Sequence, residues 1–310
     1  MTAPIRTFHA DRGDARVRLD RALVRHLADL ALPRVAVARW VRDGRVQVNG
    51  EAAAKPSLRL ARGDLVAVAL PPPPADEPPL RAQELPLVIL WEDDHLLALD
   101  KPAGLVVHPT WGHRDGTLLN GLLWRAREWQ GAAHPRLVHR LDKDTSGLML
   151  VTKTRAAHAG LARAFQRREV GKEYLAVVYG RPPADGGRIE LAIARDPSDP
   201  KRRLAGAPGG RPAVTDWRVV AATGEHALLA CRPRTGRTHQ LRVHLAASAL
   251  PIVGDPLYGA GVTPPFHRQA LHAARLTFTH PVTREAMELE TPLPADLRDL
   301  LTTLGLAPSR

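Results

Sequence analysis

Six prolines fall within nine residues, Pro71-Pro-Pro-Pro-Ala-Asp-Glu-Pro-Pro79. Proline fixes φ and lacks a backbone N–H, so such a run enters neither a helix interior nor the middle of a sheet and stays extended. A proline-rich stretch can also be a ligand for small aromatic-grooved domains, but its place between two patterned regions selects the spacer reading. The chain is therefore expected to fold as two units, residues 16–70 and 87–310, joined by a linker over 71–86. Residues 1–15 are polar, show no periodicity and are expected to form a flexible tail.

The first unit reads as a small α+β domain. Leu19, Leu23, His26, Leu27 and Leu30 recur at three- and four-residue steps, a helical stripe that Pro33 interrupts. A second helix fits Val35–Arg42 and closes at Asp43-Gly44, where glycine takes the left-handed conformation past a helix end. Arg45-Val-Gln-Val-Asn-Gly50 alternates as a strand into an Asn-Gly hairpin turn, and Asp64–Leu70 reads as the closing strand.

The second unit interleaves strands and helices. Strands are expected over 87–91, 96–100, 147–152, 173–179, 214–220 and 227–232, and helices over 117–128, 156–168 and 238–247. The chain after Leu271 is read as strand again. That order implies an α+β fold, a mostly antiparallel mixed sheet with flanking helices.

A net charge of +12 points to a polyanionic partner, nucleic acid or an anionic membrane. Only six of the 44 basic residues are lysine, however, and an arginine bias also arises from codon composition. The single cysteine, Cys231, excludes a disulfide within the chain and a Cys-rich zinc site, and it suits a reducing compartment. No apolar run approaches the ~18 residues of a membrane span, and the first ten residues lack the apolar core of a signal peptide. A soluble, cytoplasmic, monomeric protein without membrane association is expected.

Three stretches carry chemistry. Val138-His-Arg-Leu-Asp-Lys-Asp-Thr-Ser-Gly147 sets a histidine, an arginine, a lysine and two carboxylates beside a buried strand. Such density is costly unless the charges pair or bind a ligand. Asp144, Thr145 and Ser146 also suit an ordinary turn, whereas Asp142, between Arg140 and Lys143, has the setting of a nucleophile or base. In Arg234-Thr-Gly-Arg-Thr-His-Gln-Leu-Arg-Val-His244, Gly236 admits a close ligand, and Arg237 and Arg242 offer planar donor forks for phosphate or carboxylate. The five-residue spacing of His239 and His244 does not converge on a metal. In Val170-Gly-Lys-Glu-Tyr-Leu175 a tyrosine could stack on a base, although a strand tyrosine is more often core. No phosphate loop, dinucleotide fingerprint or serine elbow occurs, so neither a cofactor nor a metal is expected.

Together these stretches resemble the large-subunit rRNA pseudouridine synthase family, the RluA/RluD branch. His139–Gly147 resembles the signature around its catalytic aspartate, Asp100–Pro109 its first motif, Gly171-Lys-Glu-Tyr174 its tyrosine motif and Gly236–His244 its arginine motif. Gly254-Asp-Pro-Leu-Tyr-Gly259 and Leu271–Arg275 continue the likeness. It covers roughly residues 88–295 with the motifs in order. The first unit resembles the alpha-L RNA-binding motif, named for a small-subunit ribosomal protein, through Arg18-Leu-Asp20 and Asp43–Gly50. It departs where serines usually cap the second helix: Leu32-Pro-Arg-Val35 stands there, and Arg34 keeps a phosphate contact open.

The resemblance implies isomerisation of uridine to pseudouridine in structured RNA, with large-subunit rRNA favoured over tRNA or a non-catalytic assembly role. It makes Asp142 the catalytic carboxylate, which would attack the ribose, attack the base or abstract a ribose proton. It makes Arg242 the partner of that carboxylate, and Tyr174 the ring that stacks on the target base and helps remove its C5 proton. Arg140 would fill the space left by the flipped base. Substrate contacts are expected from His139, Arg140, Arg237, His239, Gln240 and Arg34.

Overall fold

A computed structural model describes residues 5–27, 34–70, 80–109, 114–131, 133–259 and 266–306. The proline run lies outside the described residues. The chain divides into two compact units, Met1–Pro79 and Leu80–Arg310.

The first unit contains β1 (Ile5–His9), α1 (Leu19–His26), α2 (Arg34–Arg42), β2 (Val46–Val48), β3 (Glu51–Ala52) and β4 (Leu65–Ala69). Its sheet has the order β1-β4-β2-β3, antiparallel throughout. Leu19 and Leu23 of α1 and Val37 and Val41 of α2 pack on Val46, Val66 and Val68 of the sheet. Asn49 (φ +53°) and Gly50 (φ +87°) supply two successive left-handed residues, the turn that matches strand twist in a hairpin. Ile5–His9 corrects the expected tail: it pairs with β4 from Ile5 opposite Ala69 to His9 opposite Leu65. Five residues at a sheet edge, with only Phe8 packed against the core, leave almost no pattern to read.

The second unit contains β5 (Val88–Glu92), β6 (Leu96–Lys101), α3 (Leu118–Arg125), β7 (Arg136–Leu137), β8 (Ser146–Thr152), α4 (Arg155–Arg167), β9 (Gly171–Tyr179), β10 (Gly186–Glu190), β11 (Ile193–Arg195), β12 (Arg203–Ala205), β13 (Val214–Ala222), β14 (His226–Pro233), α5 (Gln240–Ala247), β15 (Leu271–Thr279), β16 (Ala286–Glu290) and α6 (Ala295–Thr303). Eight strands run in the order β10-β13-β14-β9-β15-β8-β6-β5, with β16 on β15 and β7 on β8. Only the β15–β8 pairing is parallel, so the sheet is mixed and mostly antiparallel. β11 and β12 form a separate pair.

Two expectations need correction here. Residues 80–86 dock on α3 and are not spacer: Asn120 donates to the Arg81 carbonyl (2.8 Å), and Gln83 accepts the Gly116 N–H (2.5 Å). The chain after Leu271 is not all strand: α6 follows Pro294 and buries Leu297, Leu300 and Leu301.

Candidate active site

The polar stretch 138–145 is a loop leading from β7 into β8. Gly147 anchors its end: at φ +116°, a Cβ there would lie 2.3 Å from the Ala273 carbonyl oxygen, so β8 and β15 approach as only glycine permits. Ala273 is in register with Gly147 on one side and with Tyr174 of β9 on the other. Tyr174 therefore sits two strand spacings from Gly147, about 10 Å, with the small Ala273 between.

Two buried cations shape the loop from behind. The Lys101 ammonium donates to the carbonyls of Pro102 (2.7 Å), Leu105 (3.0 Å) and Lys143 (2.8 Å), tying residues 101–105 to the residue after Asp142. Burial pushes this ammonium down to about 8, against the pull of Asp144 and Asp142. Arg268 forks onto Asp296 (2.7 and 2.9 Å) and also donates to the Asp144 carbonyl (3.3 Å).

Asp142 meets Arg242 at the loop's crest. Arg242 Nη1 donates to Asp142 Oδ2 (3.2 Å), while its Nε and Nη2 fork onto Asp255 (2.7 and 2.8 Å). Despite burial, the two carboxylates hold the guanidinium above its ordinary value. Asp255 is wholly buried, whereas Asp142 keeps 21% of its side chain exposed. One carboxylate thus aims the arginine and the other is left facing solvent. Gly254 (φ +71°) makes this possible, since a Cβ there would lie 2.2 Å from the Arg268 carbonyl oxygen.

His239 caps α5 in the left-handed region (φ +57°), which costs a residue with a side chain about 1 kcal/mol or more. Its Nδ1 lies 3.0 Å from the Tyr258 hydroxyl, which accepts the Arg203 N–H (2.7 Å). With the hydroxyl proton given to Nδ1, the ring proton sits on Nε2, 3.9 Å from Asp142 Oδ2. Burial lowers the imidazole below its ordinary value.

Asp142, Tyr174, Arg242, His239, Arg140 and Arg237 line one cavity of about 860 Å³. Burial and the Asp142 charge push the Tyr174 phenol up, so it stands there as a hydroxyl. Lys172, two residues along the same strand face, lines the cavity too, and burial lowers its ammonium.

Two expected substrate contacts, Gln240 and His139, line the same cavity while bonding within the protein. Gln240 is buried and fully occupied: its carbonyl accepts from Thr235 (2.7 Å) and the Arg237 N–H (3.0 Å), and its amide donates to the Val214 carbonyl (2.9 Å) and Thr215 (3.1 Å). It braces the arginine loop. His139 accepts the Leu150 N–H on Nε2 (2.8 Å) and stacks on Phe165, and burial drives it down to about 3. Arg34 begins α2, and its side chain lies outside the described residues.

His239 and His244 part company, since His244 bonds Thr215 and the Leu191 carbonyl. Among the described residues, one cluster has metal-ligand groups in reach of each other: Asp11, Asp14 and His26 in the first unit. The Arg25 guanidinium already sits 2.8 Å from Asp14 within it. Lys101, Asp255, Tyr258 and Arg268 were not singled out by sequence. The first three lie inside quoted motifs, but only the fold shows what they touch.

The site is thus a loop carboxylate braced by an arginine at a cavity of the mixed sheet. The sequence pattern described as RNA pseudouridylate synthase matches residues 95–247, and that of the S4 domain matches residues 17–66. The chain belongs to the RNA pseudouridine synthase family and is an enzyme of that class. It is 41% identical over 301 residues to ribosomal large subunit pseudouridine synthase D of Vibrio vulnificus (strain CMCP6), across 93% of this chain and 90% of that one. It is 39% identical over 300 residues to the protein of the same name in Escherichia coli (strain K12), with the same coverage. Among solved structures, human RNA pseudouridylate synthase domain containing 4 superposes with a TM-score of 0.60 at 26% identity, covering 70% of this chain and 93% of that one. The human domain containing 1 protein gives 0.58 at 28%, covering 73% and 97%. Among the described residues, no helix is long and apolar enough to cross a membrane.

Proposed function

We propose that the protein isomerises uridine to pseudouridine in large-subunit ribosomal RNA, as a cytoplasmic monomer, with Asp142 as the reacting carboxylate. The observation that carries this is the Asp255–Arg242–Asp142 chain, which presents one carboxylate at a cavity of about 860 Å³, with room for a nucleoside and its flanking strand. The N1–C1′ bond breaks, the base turns and a C5–C1′ bond forms. The C5 hydrogen leaves as a proton and N1 takes one up, so no oxidant or added group is needed.

A carboxylate beside the ribose serves cleavage of a glycosidic bond. Arg242 orients it and supplies its counter-charge. Tyr174, held as a phenol, is suited to stacking on the base and poorly suited to taking the C5 proton. A uridine within folded RNA reaches the cavity only when flipped out, at a cost of roughly a few kcal/mol. Arg140, exposed two residues before Asp142 and lining the same cavity, fills the vacated stack in this reading. The rRNA choice rests on the relatives' shared name and their coverage of both chains. The S4-type unit supplies a second RNA contact.

The test is release of tritium from C5-labelled uridine in unmodified large-subunit rRNA, without added metal or cofactor. Wild type is expected to release it, and Asp142→Asn to lose turnover on the order of 10⁴-fold while still binding the RNA. Release from tRNA but not rRNA would overturn the substrate. Equal release by the Asp142→Asn variant would overturn the catalytic assignment.

A further inference from the structure

We infer that Arg168, Arg211 and Arg237 form an anion site that grips phosphodiester groups of the RNA strand carrying the target uridine. The inference rests on the reading that RNA is the substrate. The three residues come from separate elements: the residue capping α4, the segment before β13 and the loop between β14 and α5. All three line the cavity that holds Asp142.

Charge pairing across the cavity isolates them. Asp142 is taken by Arg242, Glu173 by Arg232 (2.7 Å) and Glu288 by Arg275 (3.0 Å). Arg234, next to the group, is drawn away to Asp216 (2.7 Å). Among the described residues, no carboxylate pairs with Arg168, Arg211 or Arg237. They are close enough to repel: burial, then the charges of Arg211 and Arg168, lowers the Arg237 guanidinium below its ordinary value. Like charges held together without a counter-ion are unfavourable in the free protein and become favourable when an anion arrives.

The local backbone supports the grouping. Arg168 adopts φ +63° at the helix end, a left-handed position usually given to glycine. Arg237 is aimed by donating Nε to the Pro212 carbonyl (3.2 Å), next to Arg211 in the chain. Beside it, Gly236 lines the cavity, and a Cβ built there meets nothing within 4 Å. The space in front of the arginines is open for a phosphate backbone.

The experiment compares Arg168→Gln, Arg211→Gln and their double variant with Arg298→Gln, which removes the same charge from the exposed face of α6. Tritium release gives kcat and KM on unmodified large-subunit rRNA, repeated across salt concentrations. Each cavity variant is expected to raise KM about tenfold, with a much smaller change in kcat. The double variant should flatten the salt dependence by about 0.7 to 0.9 for each phosphate it no longer neutralises. Melting temperatures should equal or exceed wild type, because repulsion is relieved. Arg298→Gln should move none of these. The anion site is overturned if the double variant matches Arg298→Gln in KM and salt slope, or if kcat falls at unchanged KM. Filter binding of the same rRNA separates the two readings. If wild type releases no tritium from any RNA, weaker RNA retention by the double variant still supports the site, and unchanged retention overturns it.

Discussion

The two units handle charge in opposite ways. In the first, the core is a plain apolar cluster, and pairs such as Arg39–Asp43 (3.6 Å) lie on the surface with both partners largely exposed. Asp14, buried against Arg25 and His26, and Asp20, buried against Arg18, are its exceptions. In the second, Lys101, Arg242, Asp255 and Arg268 are buried beside the cavity, each satisfied by named partners. A surface pair can be removed with little consequence. A buried charge is viable only while all its partners stay in place. The second unit is thus committed to one loop geometry in a way the first is not.

The largest expected effect tests that commitment. Asp255→Asn weakens the fork that aims Arg242, leaving a buried guanidinium with one full counter-charge. Denaturant titration should show a loss of about 3 kcal/mol, and turnover should fall with little change in RNA affinity. The matching change in the first unit, Asp43→Asn, removes only the exposed pair with Arg39 and should leave stability within error of wild type. Equal losses at the two positions would erase the contrast.

The same contrast governs what could be read beforehand. The first unit's helices and Asn-Gly turn followed from apolar spacing and turn chemistry, because its fold is built from those. Its β1 strand was hidden, being five edge residues recruited by a distant partner. In the second unit, Asp142, Tyr174 and Arg242 stood out through resemblance, and the polarity of 138–147 pointed to the loop unaided. The bracing bonds of Gln240 were not legible, because a buried glutamine and a ligand-binding one look alike in sequence. Its role depends on Val214 and Thr215 on β13, some 25 residues away. Helix α6 was legible and overlooked: Pro294 precedes Leu297, Leu300, Leu301 and Leu304 at helical spacing.

A second test uses proton linkage at His139. Its folded value, about 3, lies far below the ordinary 6.5, so the folded state keeps the ring neutral while the unfolded chain takes up a proton. The stabilisation is complete above pH 6.5. It declines by about 1.4 kcal/mol per pH unit as pH falls below that value, until the folded value is reached. His139→Gln retains an acceptor for the Leu150 N–H but does not titrate. Unfolding free energies at pH 7 and pH 5 should therefore diverge less for this variant than for wild type. Identical pH sensitivity would mean that the ring is not held neutral and that the loop tolerates a charge there.

The smallest effect belongs to the first unit's RNA contact. Arg42 on α2 is exposed and, among the described residues, donates Nε only to the Ala38 carbonyl within its own helix (3.2 Å). If the S4-type unit adds distributed phosphate contacts, one arginine among several contributes little. Arg42→Gln should raise KM about threefold at low salt, leave kcat unchanged, and approach wild type as salt rises. Tritium-release kinetics at about 50 and 200 mM salt read this directly. An effect larger than that of Arg168→Gln would move the principal grip on RNA from the cavity wall to the first unit. The unpaired arginines beside Asp142 would then be secondary, and the division of labour between the units would be reversed.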